Sequence, residues 1–74
     1  MEKKYTITAG NNNTDCGIIG RANTLLAAKR IAHKYISVAL PNGEGEYTVR
    51  DEDGDSVLVE RRDITTGNKW VEYK

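Results

Sequence analysis

The chain has one cysteine, no long apolar run and no excess of charge of either sign. Each shortage removes a class of protein. Cys16 alone closes no intramolecular disulfide and builds no multi-cysteine metal site, which favours a reducing compartment and an expectation of cytoplasmic location. No stretch approaches the ~18 apolar residues of a membrane helix. The start, Met1-Glu2-Lys3-Lys4-Tyr5, lacks the apolar run of a secretion signal, so Asn12-Asn13-Thr14 reads as a polar loop and not as a glycosylation site. Eleven basic and eleven acidic side chains cancel. A dedicated nucleic-acid binder usually carries a basic excess, so the placement of the charges says more than their sum. No G-x-x-x-x-G-K-[ST] or G-x-G-x-x-G string is present. The pairs Gly17 with Gly20 and Gly43 with Gly45 read as turn and bulge positions.

Seventy-four residues make one domain, residues 1–74, with a thin core. A chain of this length buries only about 60–65% of its unfolded surface, and a net stability of roughly 3–5 kcal/mol is expected without staples. Lys3 to Ala9 alternates, with Tyr5, Ile7 and Ala9 on one side, and reads as a strand. Cys16 to Gly20 reads as a short second strand. Thr24 has the hydroxyl of an N-cap. From Leu25 the apolar residues fall at the 3,4 spacing of one helical face, so Leu25, Ala28, Ala32, Tyr35, Ile36 and Ala39 are expected to face the sheet. Pro41-Asn42-Gly43 stops the helix. Glu46 to Asp51 and Ser56 to Arg62 alternate as strands. Asp53-Gly54 between them signals a hairpin whose two central positions both need positive φ. Thr66-Gly67-Asn68 turns the chain into a last strand from Lys69 to Tyr73. The pattern predicts an α+β fold: one helix on a four- to five-stranded antiparallel sheet, in the order β-(β)-α-β-β-β.

Three constellations bear on chemistry. Asp51, Asp53 and Asp55 form D-x-D-x-D, but an EF-hand loop wants glycine and glutamate where Ser56 and Arg62 stand; a solvated acidic turn is the simpler reading. Cys16 with His33 as base lacks any further support, and a lone cysteine among isoleucines and glycines is usually a small buried hydrophobe. A lone histidine on a basic helix face is usually a surface residue. Catalysis also wants a concave, shielded pocket, which one helix on one sheet seldom builds. Binding is therefore expected in place of catalysis, with no cofactor, metal, small molecule or membrane involved. The third constellation is the polar side of the helix. Lys29, Arg30, His33 and Lys34 lie within about 140° of one another at 100° per residue, and no acidic residue falls between Thr24 and Leu40. Mixed-sign faces are the commoner pattern, because i,i+4 pairing favours them. The all-basic face either solubilises the helix or docks on an acidic protein surface or on phosphates. Lys69, beside Trp70, is counted with it.

The string Leu26-Ala27-Ala28-Lys29-Arg30-Ile31-Ala32-His33-Lys34, with Asn68-Lys69-Trp70-Val71-Glu72-Tyr73 near the end and the start from Met1 to Asn11, resembles a small anti-CRISPR family, the ninth numbered type I-F inhibitor. The resemblance covers most of the chain loosely and two blocks well. It implies a phage- or prophage-encoded protein acting in the bacterial host, with a helix on an antiparallel sheet. It implies binding to the backbone subunits of a type I crRNA-guided surveillance complex, where target DNA would pair with the guide. The positions that match the family's basic contacts are Lys29, Arg30 and Lys34 on the helix and Lys69 on the last strand. Members are also linked to nonspecific DNA binding by the inhibited complex, so DNA contact belongs to the expectation. The Asn11–Asp15 loop, the Pro41–Glu46 connection and the acidic turn depart from the family's pattern. The alternative expectation is a small nucleic-acid-binding or protein-interaction module of a mobile element.

Overall fold

The computed structural model describes residues 4–10, 15–39, 44–63, 67 and 69–73, with the backbone alone at positions 15 and 16. The elements run β1 (Tyr5–Gly10), β2 (Asp15–Ala22), α1 (Leu25–Ala39), β3 (Gly45–Arg50), β4 (Ser56–Arg62) and β5 (Trp70–Tyr73). The strands form one antiparallel sheet in the order β2-β1-β3-β4-β5. The α+β expectation holds, with five strands. Because β2 and β3 flank β1 on opposite sides, the chain between them must cross the sheet. The helix makes that crossing, packing on β2, β1 and β3. Among the described residues no helix is long and apolar enough to cross a membrane.

The helix starts as its sequence directs. The Ala27 N–H donates to Thr24 Oγ1 at 3.1 Å and the Ala28 N–H to the Thr24 carbonyl at 3.0 Å, which satisfies first-turn donors that have no partner inside the helix. Its buried face is narrower than its apolar pattern. Ala28, Ala32 and Ile36 are buried and Tyr35 is half-buried, but Leu25 is 37% exposed and Ala39 is exposed. Leu25 and Ala39 lie within about 20° of Ala32 around the axis, yet about 10 Å from it along the axis. They overhang the covered stretch at the two ends, so position along the helix decided their exposure. The alanines bring the helix backbone down onto Ile7 and Ala9 of β1, Tyr47 and Val49 of β3, and Leu58 of β4, which complete the core.

Of the strands, only β4 keeps both ends of the sequence reading; β1, β3 and β5 shift by one or two residues, and two larger differences have a structural cause. Strand β2 runs from Asp15 to Ala22, longer than the expected 16–20, because bulges carry the pairing around its glycines. Ile7 pairs with Gly20 and Thr8 with Ile18, and Ala9 pairs with Gly17 and Gly10 with Asp15, so residues 19 and 16 are the extra ones. Gly17 takes φ 68°, which a side chain would disfavour. The β3–β4 hairpin has a three-residue loop, Glu52-Asp53-Gly54, not a two-residue one. Asp51 N–H donates to the Asp55 carbonyl at 2.9 Å, and Gly54 N–H donates to the Asp51 carbonyl at 3.1 Å. In this loop the Asp51 carboxylate turns in, where Oδ1 accepts from the Asp53 and Asp55 N–H groups at 2.9 and 3.0 Å. Gly54, at φ 84°, closes it. Gly67 is also left-handed, at φ 76°. The rest of that expected turn, the Pro41-Asn42-Gly43 stop and the Asn12-Asn13-Thr14 pattern lie outside the described residues.

Candidate functional site

The four basic residues of α1 divide into two pairs at i,i+4 spacing, and the sheet treats the pairs oppositely. Lys29 and His33 lean over the β4–β5 side. Arg30 and Lys34, one position further around the helix, are exposed.

What draws the first pair down is Glu60. Alternation in β4 puts Glu60 on the same side as Leu58, facing the helix, and it is only 5% exposed. A carboxylate there must be met by donors. Lys29 Nζ stands 3.2 Å from Oε1, and the Tyr47 hydroxyl donates to the same oxygen at 3.0 Å. His33 Nε2 lies 3.2 Å from the Tyr47 oxygen and 3.9 Å from Glu60 Oε2. Tyr47 has one hydroxyl proton and gives it to Glu60. The contact with His33 therefore needs Nε2 to carry its own proton and donate.

Aromatic packing completes the cluster. Trp70 stacks on His33, with ring centres 4.2 Å apart and planes 12° from parallel, and meets Tyr47 edge-on at 5.3 Å. The Arg62 guanidinium carbon sits 5.8 Å from the centre of the Trp70 ring, and its Nη1 donates to Ser37 Oγ at 3.2 Å. Burial pulls the His33 pKa below its ordinary 6.5. The Glu60 charge opposes that shift, while Lys29 and Arg62 add to it. Burial, the hydrogen bond to Glu60 and the charges of Glu60 and Glu72 push the Tyr47 hydroxyl far up. His33, with its side chain 35% exposed, links tyrosine to tryptophan, and its lowered pKa favours the neutral form.

The five candidate cations thus have distinct settings. Lys29 is engaged by Glu60, and the lowered pKa of His33 favours its neutral form. Arg30 and Lys34 have no ion pair among the described residues. Lys69 is exposed and immediately precedes Trp70. Sequence reasoning did not single out Glu60, Tyr47 or Arg62. The available signal was the phase of β4, since Glu60 and Arg62 share the side of Leu58. The acidic turn brings one carboxylate oxygen each from Asp51, Asp53 and Asp55 within 4.8 Å of one another, but Asp51 already spends an oxygen on the loop backbone. The Cys16 side chain lies outside the described residues, so its expected burial has no structural counterpart. Comparison with protein-family models, curated proteins and solved structures finds no match to this chain.

Proposed function

We propose that the chain is an anti-CRISPR inhibitor that docks by its helix onto the backbone subunits of a type I surveillance complex and blocks pairing of target DNA with the guide. One observation carries the docking role: Arg30 and Lys34 stand exposed in an i,i+4 line on a helix without an acidic residue, held over a five-stranded sheet. The resemblance of the 26–34 and 68–73 blocks to the type I-F inhibitor family supplies the target. A subunit that holds guide and target needs a groove suited to nucleic-acid backbones. A plug for that groove requires surface and charge but no chemistry. Such a groove is itself positively charged, so Arg30 and Lys34 would meet carboxylates of the subunits beside it, through charge-assisted hydrogen bonds.

The test is capture of target DNA by purified type I-F complex in a gel shift. Saturating protein is expected to abolish specific capture, and the double substitution Arg30→Glu, Lys34→Glu to restore it. Undiminished capture with the unaltered protein would overturn the proposal for that complex.

A further inference from the structure

The two flanks of α1 are finished differently. Towards β4 and β5 the space is filled by His33, Tyr47, Glu60 and Trp70. Towards β2 it stays open, as a groove of about 380 Å³ lined by Ile19, Ile31, Lys34, Tyr35, Val38 and Ala39. The chain's own geometry makes this opening. β2 is the last strand on that side, and Gly20 offers no side chain. A Cβ on Gly20 would stand 3.0 Å from Ile31 Cγ2, so the helix seats on glycine there and leaves the strip beyond it uncovered. On the crest of the helix, Leu26, Arg30, Lys34 and Val38 follow one another at i,i+4, with Leu26 61% and Val38 80% exposed. Large aliphatics exposed at both ends of a cation pair, one lining an apolar groove, do not suit a phosphate backbone. They suit a protein surface.

We infer that this groove is the specificity pocket of the docking face, and that it receives a bulky aliphatic side chain of a protein partner with a carboxylate beside it. The aliphatic group lies between Ile19, Ile31 and Val38. Lys34, the one charged residue of the lining among the described residues, pairs with the carboxylate at the lip, and Arg30 reaches a second carboxylate one turn earlier. The charge complementarity is one-sided, because among the described residues no acidic residue lines the groove, and none lies in the helix.

The inference rests on the helix being the docking face, and its test separates it from the choice of target. The probe is an end-blocked tetrapeptide of two leucines between two glutamates, titrated into isotope-labelled protein while amide resonances are followed. Two comparison probes are the same peptide with glutamines and a short oligothymidylate. The glutamate peptide is expected to move the amides of Ile19, Ile31, Lys34 and Val38. Val38→Asp and Lys34→Glu, both at exposed positions, are each expected to weaken it roughly tenfold. No movement of those amides, or equal movement by the glutamine peptide or the oligothymidylate, would overturn the pocket. A pocket that maps as expected on a protein that leaves the surveillance complex unbound removes the CRISPR target and keeps the pocket. Full-strength binding of Val38→Asp to that complex does the reverse.

Discussion

Lys29 and Arg30 are neighbours on one helix, both basic, and their settings could hardly differ more. Lys29 is drawn onto a buried carboxylate 3.2 Å away; Arg30 stands in solvent. The same split separates His33 from Lys34. A step of one residue turns a helical side chain by about 100°, enough to carry it from the filled flank to the crest. A basic face read from periodicity is therefore two surfaces: one packs against Glu60, Tyr47 and Trp70, and the other stands exposed. Counting cations would overstate the unpaired charge of the helix, since Lys29 faces Glu60 and the His33 pKa is lowered.

The hardest blow to that division is loss of its organiser. Glu60→Ala leaves the Tyr47 hydroxyl and Lys29 ammonium without their acceptor, and we expect a loss of about 2–3 kcal/mol, moderated because Lys29 can still reach water. Urea unfolding followed by Trp70 fluorescence reads it. In a domain of this size that is most of the stability; a change under half a kilocalorie would mean that the cluster does not hold the fold.

The neighbouring cations sharpen the comparison directly. Lys29→Gln is expected to destabilise by about 1 kcal/mol, and Arg30→Gln to stay within about 0.5 kcal/mol of the unaltered protein. Binding to the surveillance complex is expected to rank them the other way, with Arg30→Gln the weaker binder. Equal effects in both measurements would erase the distinction between the two surfaces.

The smallest effect is one of pH. Because the folded His33 pKa lies below 6.5, the unfolded chain takes up the proton more readily. The contribution of neutral His33 is thus complete above pH 6.5 and is lost as pH falls through the folded value. Stability should begin to slope downward just under pH 6.5. His33→Gln should flatten that part of the curve, although it also loses the stack on Trp70. An unchanged slope in the variant would assign the titration to another group.

Much of this was legible beforehand because it is local. The N-cap at Thr24 needs only a hydroxyl at the right distance from the first turn. The alternation in β4 is in the chain regardless of what covers it. The hairpin was legible in place but not in length: Gly54 marks a left-handed position, while the extra loop residue depends on Asp51 turning its carboxylate onto two backbone donors. The bulges of β2 were not legible, since they answer to pairing with β1. The open groove was hidden too, because it exists only between an edge-strand residue, Ile19, and helix residues twelve or more positions away in sequence.

Taken alone, the sequence determined the helix, its acid-free polar side and the antiparallel strands. These follow from backbone hydrogen bonding and from side-chain periods of 3.6 and 2, which act over a few residues. Tertiary structure decided which face of β4 turns inward, and so placed a carboxylate under the helix. That choice tied Lys29 and His33 to the sheet and left Arg30 and Lys34 outside, while the groove beside Val38 follows from Gly20 and the edge position of β2. A buried charge must find its partners wherever the chain brings them, and here they come from β3 and α1, distant in sequence and adjacent only in space.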